Sequence, residues 1–289
     1  MSQPTSAPRD LRAAVREATQ RLAEAGIASA ETDAVLLAAH ALGTSAGEVL
    51  KAMVLGAPAP AAYEALVEER AARVPLQHLT GRVGFRRLEL HVGPGVFVPR
   101  PETELVAGLA IDAARLAGEA PVVVDLCTGS GAIALAVKDE VPAAQVYAVE
   151  LGEDAHAWAA HNVSSTGLDI TLVHGDATTA FAELDGTVDV VVSNPPYIPV
   201  GMVPIDPEVR DHDPGLALYG GSDDGLAIPL AVAARAAALL KPGGVLVMEH
   251  ADTQGEALPA ALTRTGRWRD VEDHEDLTAR PRATVAVRA

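Results

Sequence analysis

Short apolar runs alternate with longer segments of helical character from residue 99 to the end of the chain. A run such as 187–193 is almost continuously apolar, which is typical of a strand buried on both faces of a sheet. This alternation predicts an α/β fold with a mostly parallel sheet covered by helices on both faces. Little sequence separates the last two strands, so we expect them to form an antiparallel edge hairpin. The predicted strands are 121–126, 145–150, 170–174, 187–193, 243–249, 267–273 and 282–288, and the predicted helices are 102–117, 131–140, 153–166, 225–240 and 254–264.

The first part of the chain has a different pattern. Residues 1–72 carry apolar side chains at helical spacing and are punctuated by glycines, which predicts a small helical domain. Residues 73–98 become strand-like, and Gly93-Pro94-Gly95 predicts the turn of a β-hairpin linker. The α/β domain then occupies residues 99–289. We therefore expect two domains joined by a hairpin.

Charge and cysteine content limit the classes of function. The chain has 22 basic and 39 acidic side chains and a formal net charge of −17, whereas proteins that bind a nucleic-acid backbone normally present a basic face. We therefore expect no direct nucleic-acid contact. The single cysteine, Cys127, excludes an intrachain disulfide, and the scattered histidines predict no metal site. The absence of a signal-peptide core and of a bilayer-spanning apolar stretch predicts a soluble, cytoplasmic protein without membrane contact.

The tetrapeptide Asn194-Pro195-Pro196-Tyr197 follows the predicted strand at 187–193. Two successive prolines have no N–H to donate, so the strand stops there. At this corner, Asn194 Oδ1 and the Pro195 carbonyl can accept the two hydrogens of a planar NH2 group, and Tyr197 can lie against its flat face. Ligands bind at such strand ends in open α/β sheets. The motif therefore predicts a site for a planar nitrogen, although Asn-Pro is also an ordinary turn starter.

Three other strand ends carry groups that suit a nucleoside. A glycine turn at 127–131 connects the strand at 121–126 to a helix, and its backbone can approach a ligand closely. Glu150 follows Gly131 by about 20 residues, the spacing at which an acid binds ribose hydroxyls. A full dinucleotide fingerprint is missing, since Ala134 stands in place of a third glycine. The predicted cofactor-binding residues are Asp125, Cys127, Thr128, Gly129, Ser130, Gly131, Glu150, Asp176, Ala177 and Asn194.

Two of these segments resemble motifs of a known class. Residues 125–131 resemble the first motif of class I S-adenosylmethionine-dependent methyltransferases, and residues 194–197 resemble the fourth motif of members that methylate planar nitrogens. Those members include adenine and cytosine amino methyltransferases and protein glutamine methyltransferases. The resemblance implies a Rossmann-like seven-stranded sheet, S-adenosylmethionine as cofactor and S-adenosylhomocysteine as product.

Three further segments narrow the resemblance. Residues 74–81 with Phe85, residues 96–104 and residues 217–226 resemble the release factor glutamine N5-methyltransferase family. Its members modify the glutamine of Gly-Gly-Gln in peptide-chain release factors, so the resemblance implies release factors as partners. The helical domain resembles the family only in size and position, and we expect it to dock the protein substrate. The resemblance implies that Asn194, Pro195 and Tyr197 are catalytic, and that Asn194, Pro195, Pro196, Tyr197, Arg100 and Glu102 bind the substrate.

The chain departs from the family pattern at three places. Cys127 stands where the family usually has glycine, and Ala177 stands where it has a bulkier residue. Residues 276–282 lack the family's usual glycine and aspartate. We expect cofactor binding to survive the first change, adenine packing to weaken with the second, and the third to affect a terminal loop.

Alternative functions remain open at this point. A ribosomal-protein glutamine methyltransferase is a close relative that the sequence separates only in detail. A nucleic-acid amino methyltransferase shares the tetrapeptide, but the net charge of −17 disfavours it. A binding module without catalytic activity would retain the cofactor groups but transfer no methyl.

Overall fold

A computed structural model describes residues 9–289 and divides into two compact units. In the described residues, the helical unit comprises 9–81 and 205–212, and the sheet unit comprises 82–204 and 213–289. The first eight residues of the predicted helical domain lie outside the described residues. The prediction that the N-terminus lacks a signal-peptide core falls partly on these residues. No helix within 9–289 is both long enough and apolar enough to cross a membrane.

The helical unit is built on short capped helices. The Asp10 side chain accepts a hydrogen bond from Ala13 N, and Ser45 accepts one from Glu48 N, so both helices that follow begin with a side-chain cap. The buried faces meet in one hydrophobic core, which is aliphatic except for Tyr63. The helices are α1 (Leu11–Glu24), α2 (Ala30–Leu42), α3 (Ala46–Val54), α4 (Tyr63–Ala71) and α5 (Leu76–Thr80). The segment 205–212 adds α9 (Pro207–His212).

The helical unit extends further than the sequence predicted. Helix α5 lies beyond the predicted boundary at residue 72, and the compact unit continues to Gly81. Residues 205–212 also belong to it, although they come from the middle of the predicted α/β domain. No pattern within the first 72 residues signals this distant segment.

The hairpin is shorter than predicted, and its turn lies elsewhere. Strands β1 (Arg82–Phe85) and β2 (Leu88–His91) are antiparallel with Phe85 opposite Leu88, so the turn is at Arg86-Arg87. A turn does lie at Pro94-Gly95, but it is not the turn of the hairpin, so that part of the prediction is wrong. Those glycines serve close packing: a Cβ at Gly93 would meet Trp158 at 2.4 Å, and one at Gly95 would meet Asp154 at 2.6 Å.

The sheet unit confirms the predicted α/β fold. In the described part of the chain its seven-stranded sheet has the order β5-β4-β3-β6-β7-β9-β8. The first five strands in this order are parallel, and β9 is antiparallel to both neighbours, as expected for the last two strands. The strands are β3 (Val122–Leu126), β4 (Gln145–Glu150), β5 (Thr171–His174), β6 (Val188–Ser193), β7 (Leu240–Glu249), β8 (Trp268–Glu275) and β9 (Pro281–Arg288).

Helices cover both faces of this sheet. Val123, Val190 and Val192 pack in a core with residues of α6 and α7, whereas Val124 and Val191 pack in a second core with residues of α11 and α12. Successive residues of one strand thus enter opposite cores, which explains why β3 and β6 are apolar throughout. The helices are α6 (Thr103–Ala117), α7 (Ala132–Glu140), α8 (Glu153–Thr166), α10 (Gly215–Leu218), α11 (Ala227–Leu239) and α12 (Ala257–Arg264).

Candidate functional site

The candidate site lies at the carboxyl ends of the parallel strands. The register pairs Leu126 of β3 with Val149 of β4 on one side and with Ser193 of β6 on the other. The Ser193 hydroxyl donates a hydrogen bond to the Leu126 carbonyl, which ties the last residues of two strands together. The glycine turn, Glu150 and Asn194 follow directly from these ends. The structure thus brings together groups that are about 65 residues apart in sequence.

Asp125 organises the glycine turn from behind. The side chain is fully buried, and its Oδ2 accepts hydrogen bonds from Thr128 Oγ1 at 2.6 Å and Ala134 N at 3.2 Å. Burial raises the pKa of Asp125 to about 7, while these two hydrogen bonds oppose the rise. The geometry therefore assigns Asp125 to holding the turn, and its direct contact with a cofactor stays a prediction.

The glycine turn presents backbone rather than side chains. Gly129 and Gly131 have φ of 58° and 85°, and a Cβ at Gly129 would meet nothing within 4 Å. Thr128 and Ser130 are buried; the Thr128 hydroxyl points to Asp125, and the Ser130 carbonyl accepts from Asn162 Nδ2 at 2.9 Å. An open, glycine-lined turn at a helix start fits the close approach of a ligand.

Cys127 adopts a backbone conformation that favours glycine. Its φ is 69°, a left-handed value that is uncommon for residues with a Cβ. Burial raises the pKa of the Cys127 thiol above its usual range, and the neighbouring Glu150 and Asp125 charges raise it further. The thiol is therefore held protonated, which agrees with the sequence interpretation that Cys127 is not a nucleophile.

Glu150 joins the glycine turn to the next helix. Its Oε2 accepts from Gly129 N at 2.8 Å and its Oε1 from Gly152 N at 2.7 Å. Each carboxylate oxygen has a further lone pair, so the group can also accept from the two hydroxyls of a ribose. The structure places Glu150 beside the turn, as the predicted cofactor site requires.

Asp176 stands after the neighbouring strand, β5. Its Oδ1 accepts from Thr178 N at 2.8 Å and Thr178 Oγ1 at 2.7 Å, and these bonds hold the pKa of Asp176 below its usual value. Ala177 is buried against the core of Val149 and Leu126. The Asp176 side chain bonds to Thr178 and not to Glu150, so the shared role of the two acids in binding a nucleoside stays a prediction.

The tetrapeptide forms the corner at the end of β6. Asn194 and Tyr197 are half-buried, and Pro195 and Pro196 are buried. Asn194 Nδ2 lies 3.5 Å from Thr103 Oγ1. Among residues 9–289, no group donates a hydrogen bond to Asn194 Oδ1 or to the Pro195 carbonyl. The corner therefore holds two acceptors of the kind that an NH2 group needs.

Glu249 supports this corner, and sequence reasoning missed it. It ends β7, is 1% exposed, and accepts a hydrogen bond from Tyr197 Oη at 3.2 Å through Oε1. Burial raises the pKa of Glu249 to about 7, while the nearby Thr103 hydroxyl and the charge of Arg282 lower it. Burial also raises the pKa of Tyr197 above its usual value. The sequence signal that could have identified Glu249 is an acidic residue at the end of an apolar run, because a buried charge is costly without a specific role.

The residues predicted to border the substrate pocket separate into two groups. Glu102 is close enough to Glu249 and Tyr197 for its charge to raise the pKa of both. Arg100 instead donates to Asp213 Oδ2 at 2.8 Å, with its guanidinium carbon 5.1 Å from the centre of the Phe97 ring. The structure thus brings Glu102, but not Arg100, into the network of the tetrapeptide.

Residues 217–226 brace the tetrapeptide from the outside. Gly220 N donates to the Ile198 carbonyl at 2.9 Å, and Gln254 Nε2 donates to the Tyr197 carbonyl at 3.0 Å and to the Asp224 carbonyl at 2.8 Å. A Cβ at Gly225 would lie 2.1 Å from the Tyr197 carbonyl oxygen. This segment, which carries part of the family resemblance, therefore holds the backbone just after the motif.

The divergent terminal loop keeps a local anchor. Asp276 accepts from the backbone and side chain of Thr278 and from Arg282, and these bonds lower the pKa of Asp276 to about 2. The loop is ordered by an aspartate of its own, three residues beyond the end of the predicted strand at 267–273.

Within the described residues, no group of three or more metal-binding side chains is assembled.

Comparisons with known proteins match this architecture. A family model described as PrmC N-terminal domain matches residues 13–81, and one described as Methyltransferase small domain matches residues 88–202. Among solved structures, a methyltransferase from Pyrococcus furiosus matches with a TM-score of 0.51 and 18% identity, covering 78% of this chain and 96% of that one. The T. thermophilus 16S rRNA N2 G1207 methyltransferase, solved with AdoMet and guanosine, matches with a TM-score of 0.50 and 22% identity, covering 72% and 50%. These structures show a shared fold.

Together, the sheet order, the glycine turn and the strand-end groups define a class I S-adenosylmethionine-dependent methyltransferase. Curated relatives narrow the class. A release factor glutamine methyltransferase of Streptomyces coelicolor is 54% identical over 96% of this chain and 98% of its own length. One from Bifidobacterium longum is 47% identical over 94% and 98%. The chain belongs to the release factor glutamine methyltransferase family.

One relative at similar identity carries a different name. A 4-amino-L-phenylalanine/4-methylamino-L-phenylalanine methyltransferase of Streptomyces pristinaespiralis is 44% identical, covering 91% of both chains. High overall identity is therefore compatible with different acceptor nitrogens, and the acceptor of this chain has to be argued from its site.

Proposed function

We propose that this chain transfers the methyl group of S-adenosylmethionine to the side-chain amide nitrogen, N5, of the glutamine in the Gly-Gly-Gln motif of peptide-chain release factors. The observation that carries the proposal is the pair of acceptors at the strand corner, Asn194 Oδ1 and the Pro195 carbonyl, to which no residue of 9–289 donates. Two acceptors match the two hydrogens of a primary carboxamide. Membership of the family supports the protein substrate, and a release factor as substrate supports a cytoplasmic location.

The enzyme's main task is to position a poor nucleophile. A carboxamide nitrogen shares its lone pair with the carbonyl group, as a peptide nitrogen does. Bound S-adenosylmethionine supplies an electrophilic methyl group on a sulfonium. By accepting both amide hydrogens, Asn194 and Pro195 fix the nitrogen in line with that methyl and stabilise the positive charge that develops on the nitrogen. The nitrogen lone pair forms the new N–C bond, the sulfur keeps the electrons of the bond that breaks, and one amide proton leaves to solvent.

The cofactor site is assigned to the groups around the glycine turn. The backbone of Gly129 offers an open approach, and Glu150 has lone pairs left for the ribose hydroxyls. Asp176 is assigned to the adenine amino group. Tyr197 packs against the glutamine side chain, and Glu249 holds its hydroxyl.

A methyl-transfer assay with labelled S-adenosylmethionine tests the acceptor. The candidate acceptors are a release factor, its Gln→Ala variant in Gly-Gly-Gln, ribosomal protein, RNA, DNA and 4-amino-L-phenylalanine. We expect label on the wild-type release factor and none on the Gln→Ala variant. Label on ribosomal protein, nucleic acid or the aromatic amine instead would overturn the proposed acceptor while keeping the methyltransferase chemistry.

The Asn194→Ala variant tests the role of the corner. It removes one acceptor of the substrate amide, and we expect turnover to fall roughly 100-fold or more. Calorimetry should show cofactor affinity within about threefold of wild type, since Gly129 and Glu150 remain in place. A near wild-type rate for this variant would refute the assigned role of Asn194.

We also propose that the helical unit docks the release factor. Helix α3 ends in apolar side chains that are exposed: Leu50 is 53% exposed, Val54 72% and Leu55 74%. Leu50 and Val54 are four residues apart and share one face of the helix. Leu50→Glu with Val54→Glu should raise KM for the release factor at least tenfold at unchanged cofactor affinity. Leu116→Glu, at a more exposed apolar site on α6 (88%), should not. Unchanged KM in the α3 variant would contradict docking through this face.

A further inference from the structure

One short segment holds Tyr197 both by its side chain and by its backbone. The segment 249–254, which we call the clamp, begins at the last residue of β7 and ends with a 3-10 turn. Its first residue, Glu249, accepts a hydrogen bond from Tyr197 Oη at 3.2 Å. Its last residue, Gln254, donates from Nε2 to the Tyr197 carbonyl at 3.0 Å. The ring and the main chain of Tyr197 are therefore fixed from the same segment.

Gln254 uses its whole side-chain amide in the clamp. The residue is 4% exposed, Nε2 also donates to the Asp224 carbonyl at 2.8 Å, and Oε1 accepts from Ala251 N at 3.0 Å. Two carbonyl groups and one N–H group thus surround the amide, so only one of its two orientations satisfies all three partners. A carboxylate of the same shape has no hydrogen for either carbonyl. The residue type at this position is therefore set by backbone groups.

The clamp is anchored on the terminal hairpin of β8 and β9. His250 N donates to the Arg282 carbonyl at 3.0 Å, and Nε2 of the fully buried His250 ring lies 2.7 Å from Asp273 Oδ1. Nδ1 of the same ring lies 2.8 Å from the Ala251 carbonyl, which also accepts from Gln254 N at 2.8 Å. The backbone that carries the Gln254 side chain is therefore tied to both strands of the hairpin.

This anchor connects the divergent terminal loop to the tetrapeptide. Residues 276–282 depart from the family pattern, yet their last two residues lie against the clamp. The Arg282 carbonyl accepts from His250 N, and a Cβ at Gly255 would meet Pro281 Cβ at 2.5 Å. The loop is thus joined to the residues after β7 by close contacts, and through them to the motif.

We propose that Gln254 is a positioning residue, which fixes the backbone of Tyr197 so that its ring stands against the substrate side chain. The inference rests on the proposed function and deepens it, because Tyr197 is the residue assigned to pack against the acceptor glutamine. A displacement of about 1 Å at such a site can lower the rate roughly 100-fold. Gln254 therefore acts on turnover, whereas docking of the protein substrate depends on other surfaces.

Gln254→Glu separates the two donors from the shape of the side chain. It keeps an acceptor for Ala251 N but removes both hydrogens that reach carbonyl groups. We expect kcat to fall roughly 10- to 100-fold, with KM for the release factor and cofactor affinity within about threefold of wild type. Gln254→Met, which adds no charge, should lose kcat in the same range. Gln145→Glu makes the same change at an exposed position of β4 and should leave kcat unchanged. Wild-type kcat in both Gln254 variants, or a rise in KM alone, would overturn the proposal.

Asp273→Ala tests the anchor. It removes the partner of His250 Nε2, and we expect kcat to fall by a smaller factor, roughly 3- to 10-fold, because the Gln254 bonds remain. Combined with Gln254→Met, it should add no further loss, since both changes act through one clamp. Glu272→Ala, an exposed acid one residue earlier on β8, should leave kcat unchanged. Losses that multiply in the double variant would separate the hairpin from Gln254 and overturn the anchor.

A spectroscopic readout tests the clamp without any methyl acceptor. Of the four tyrosines, only Tyr197 is followed by isoleucine, so 13C-carbonyl tyrosine combined with 15N-isoleucine gives one correlated NMR signal, from Tyr197 and Ile198. Loss of the Gln254 donor should move this carbonyl resonance upfield in both Gln254 variants and leave it in place in Gln145→Glu. The expected shift without transfer to any release factor would support the clamp and reject the proposed acceptor. An unmoved resonance would overturn the clamp, whatever the acceptor.

Discussion

At the scale of single residues, Cys127 shows how a residue can fit a site chemically and still conflict with its backbone. Its φ of 69° is easy for glycine and strained for a residue with a Cβ. The surrounding contacts keep this conformation: Thr128 N donates to the Val149 carbonyl at 3.0 Å, and Gly131 N to the Thr128 carbonyl at 2.9 Å. The hydrogen bonds of the turn therefore fix its backbone, and any residue at position 127 must adopt the positive φ.

Substitutions at Cys127 should follow backbone strain rather than thiol chemistry. We expect Cys127→Gly to keep cofactor affinity and kcat within about threefold, because glycine adopts this φ freely. Cys127→Val, similar in size but β-branched, should weaken cofactor binding about tenfold or more, since such residues are outliers at positive φ. Calorimetric titration with S-adenosylmethionine measures both. Loss of activity in Cys127→Gly would show that the thiol itself contributes.

Some site residues can be predicted from a short stretch of sequence, and others cannot. Asn194 and the glycine turn were predicted because each lies in a short motif whose neighbours in sequence explain its conformation. Thr103 and Glu249 were not assigned to the corner, because they reach Asn194 and Tyr197 only when the start of α6 and the end of β7 come together at the carboxyl ends of the strands. A motif reveals the groups that touch the substrate, whereas the groups behind them depend on tertiary packing.

At the scale of elements, residues 217–226 act as a rigid brace for the tetrapeptide. Ile198 and Tyr219 form a parallel bridge, and Ile198 N donates to the Leu218 carbonyl at 2.7 Å. Gly220 is essential to the fit, because a Cβ there would meet the Gly225 carbonyl oxygen at 1.9 Å. Both sides of this contact are backbone, so a side-chain rotation cannot relieve it.

Gly220→Ala should disable catalysis by moving the brace. The shifted backbone displaces Gly225 and with it the Tyr197 carbonyl that Gln254 holds, so we expect kcat to fall roughly 100-fold. Cofactor affinity, which depends on other strand ends, should change little. Gly84→Ala in the hairpin is the matched control, because a Cβ there meets nothing within 4 Å. Comparable kcat values for the two alanine variants would refute the bracing role.

Glycine signals in the sequence do not distinguish turns from close packing. The strands and helices of the α/β domain were predictable, because the spacing of the apolar residues and the length of each apolar segment distinguish a strand from a helix. The hairpin turn was misplaced, because Gly93 and Gly95 are required by Trp158 and Asp154 on α8, which lie about 60 residues away in sequence. The actual turn, with Arg86 at a φ of 51°, carries no glycine.

At the scale of the whole molecule, the chain returns to the helical unit after the tetrapeptide. Residues 205–212 are held there by charge pairs: Arg70 contacts Glu208 at 2.8 Å, and Arg73 contacts Asp206 at 3.3 Å. Arg70 is 4% exposed and also pairs with Asp33 at 2.7 Å. No sequence pattern reveals this arrangement, because the two partners of Arg70, Asp33 and Glu208, lie in segments far from it and from each other in sequence.

Arg70→Met should therefore weaken the helical unit selectively. It leaves the Asp33 carboxylate buried without its partner, a loss of about 3–5 kcal/mol in similar cases. We expect hydrogen exchange to show lower protection of amides in α2, α4 and α9, with the amides of the large sheet unchanged. Limited proteolysis should cut sooner within residues 200–213. Asp211→Asn, which alters an exposed pair with Arg210, is the control and should change neither readout. Wild-type protection in α9 of Arg70→Met would mean that apolar contacts alone hold the returning segment.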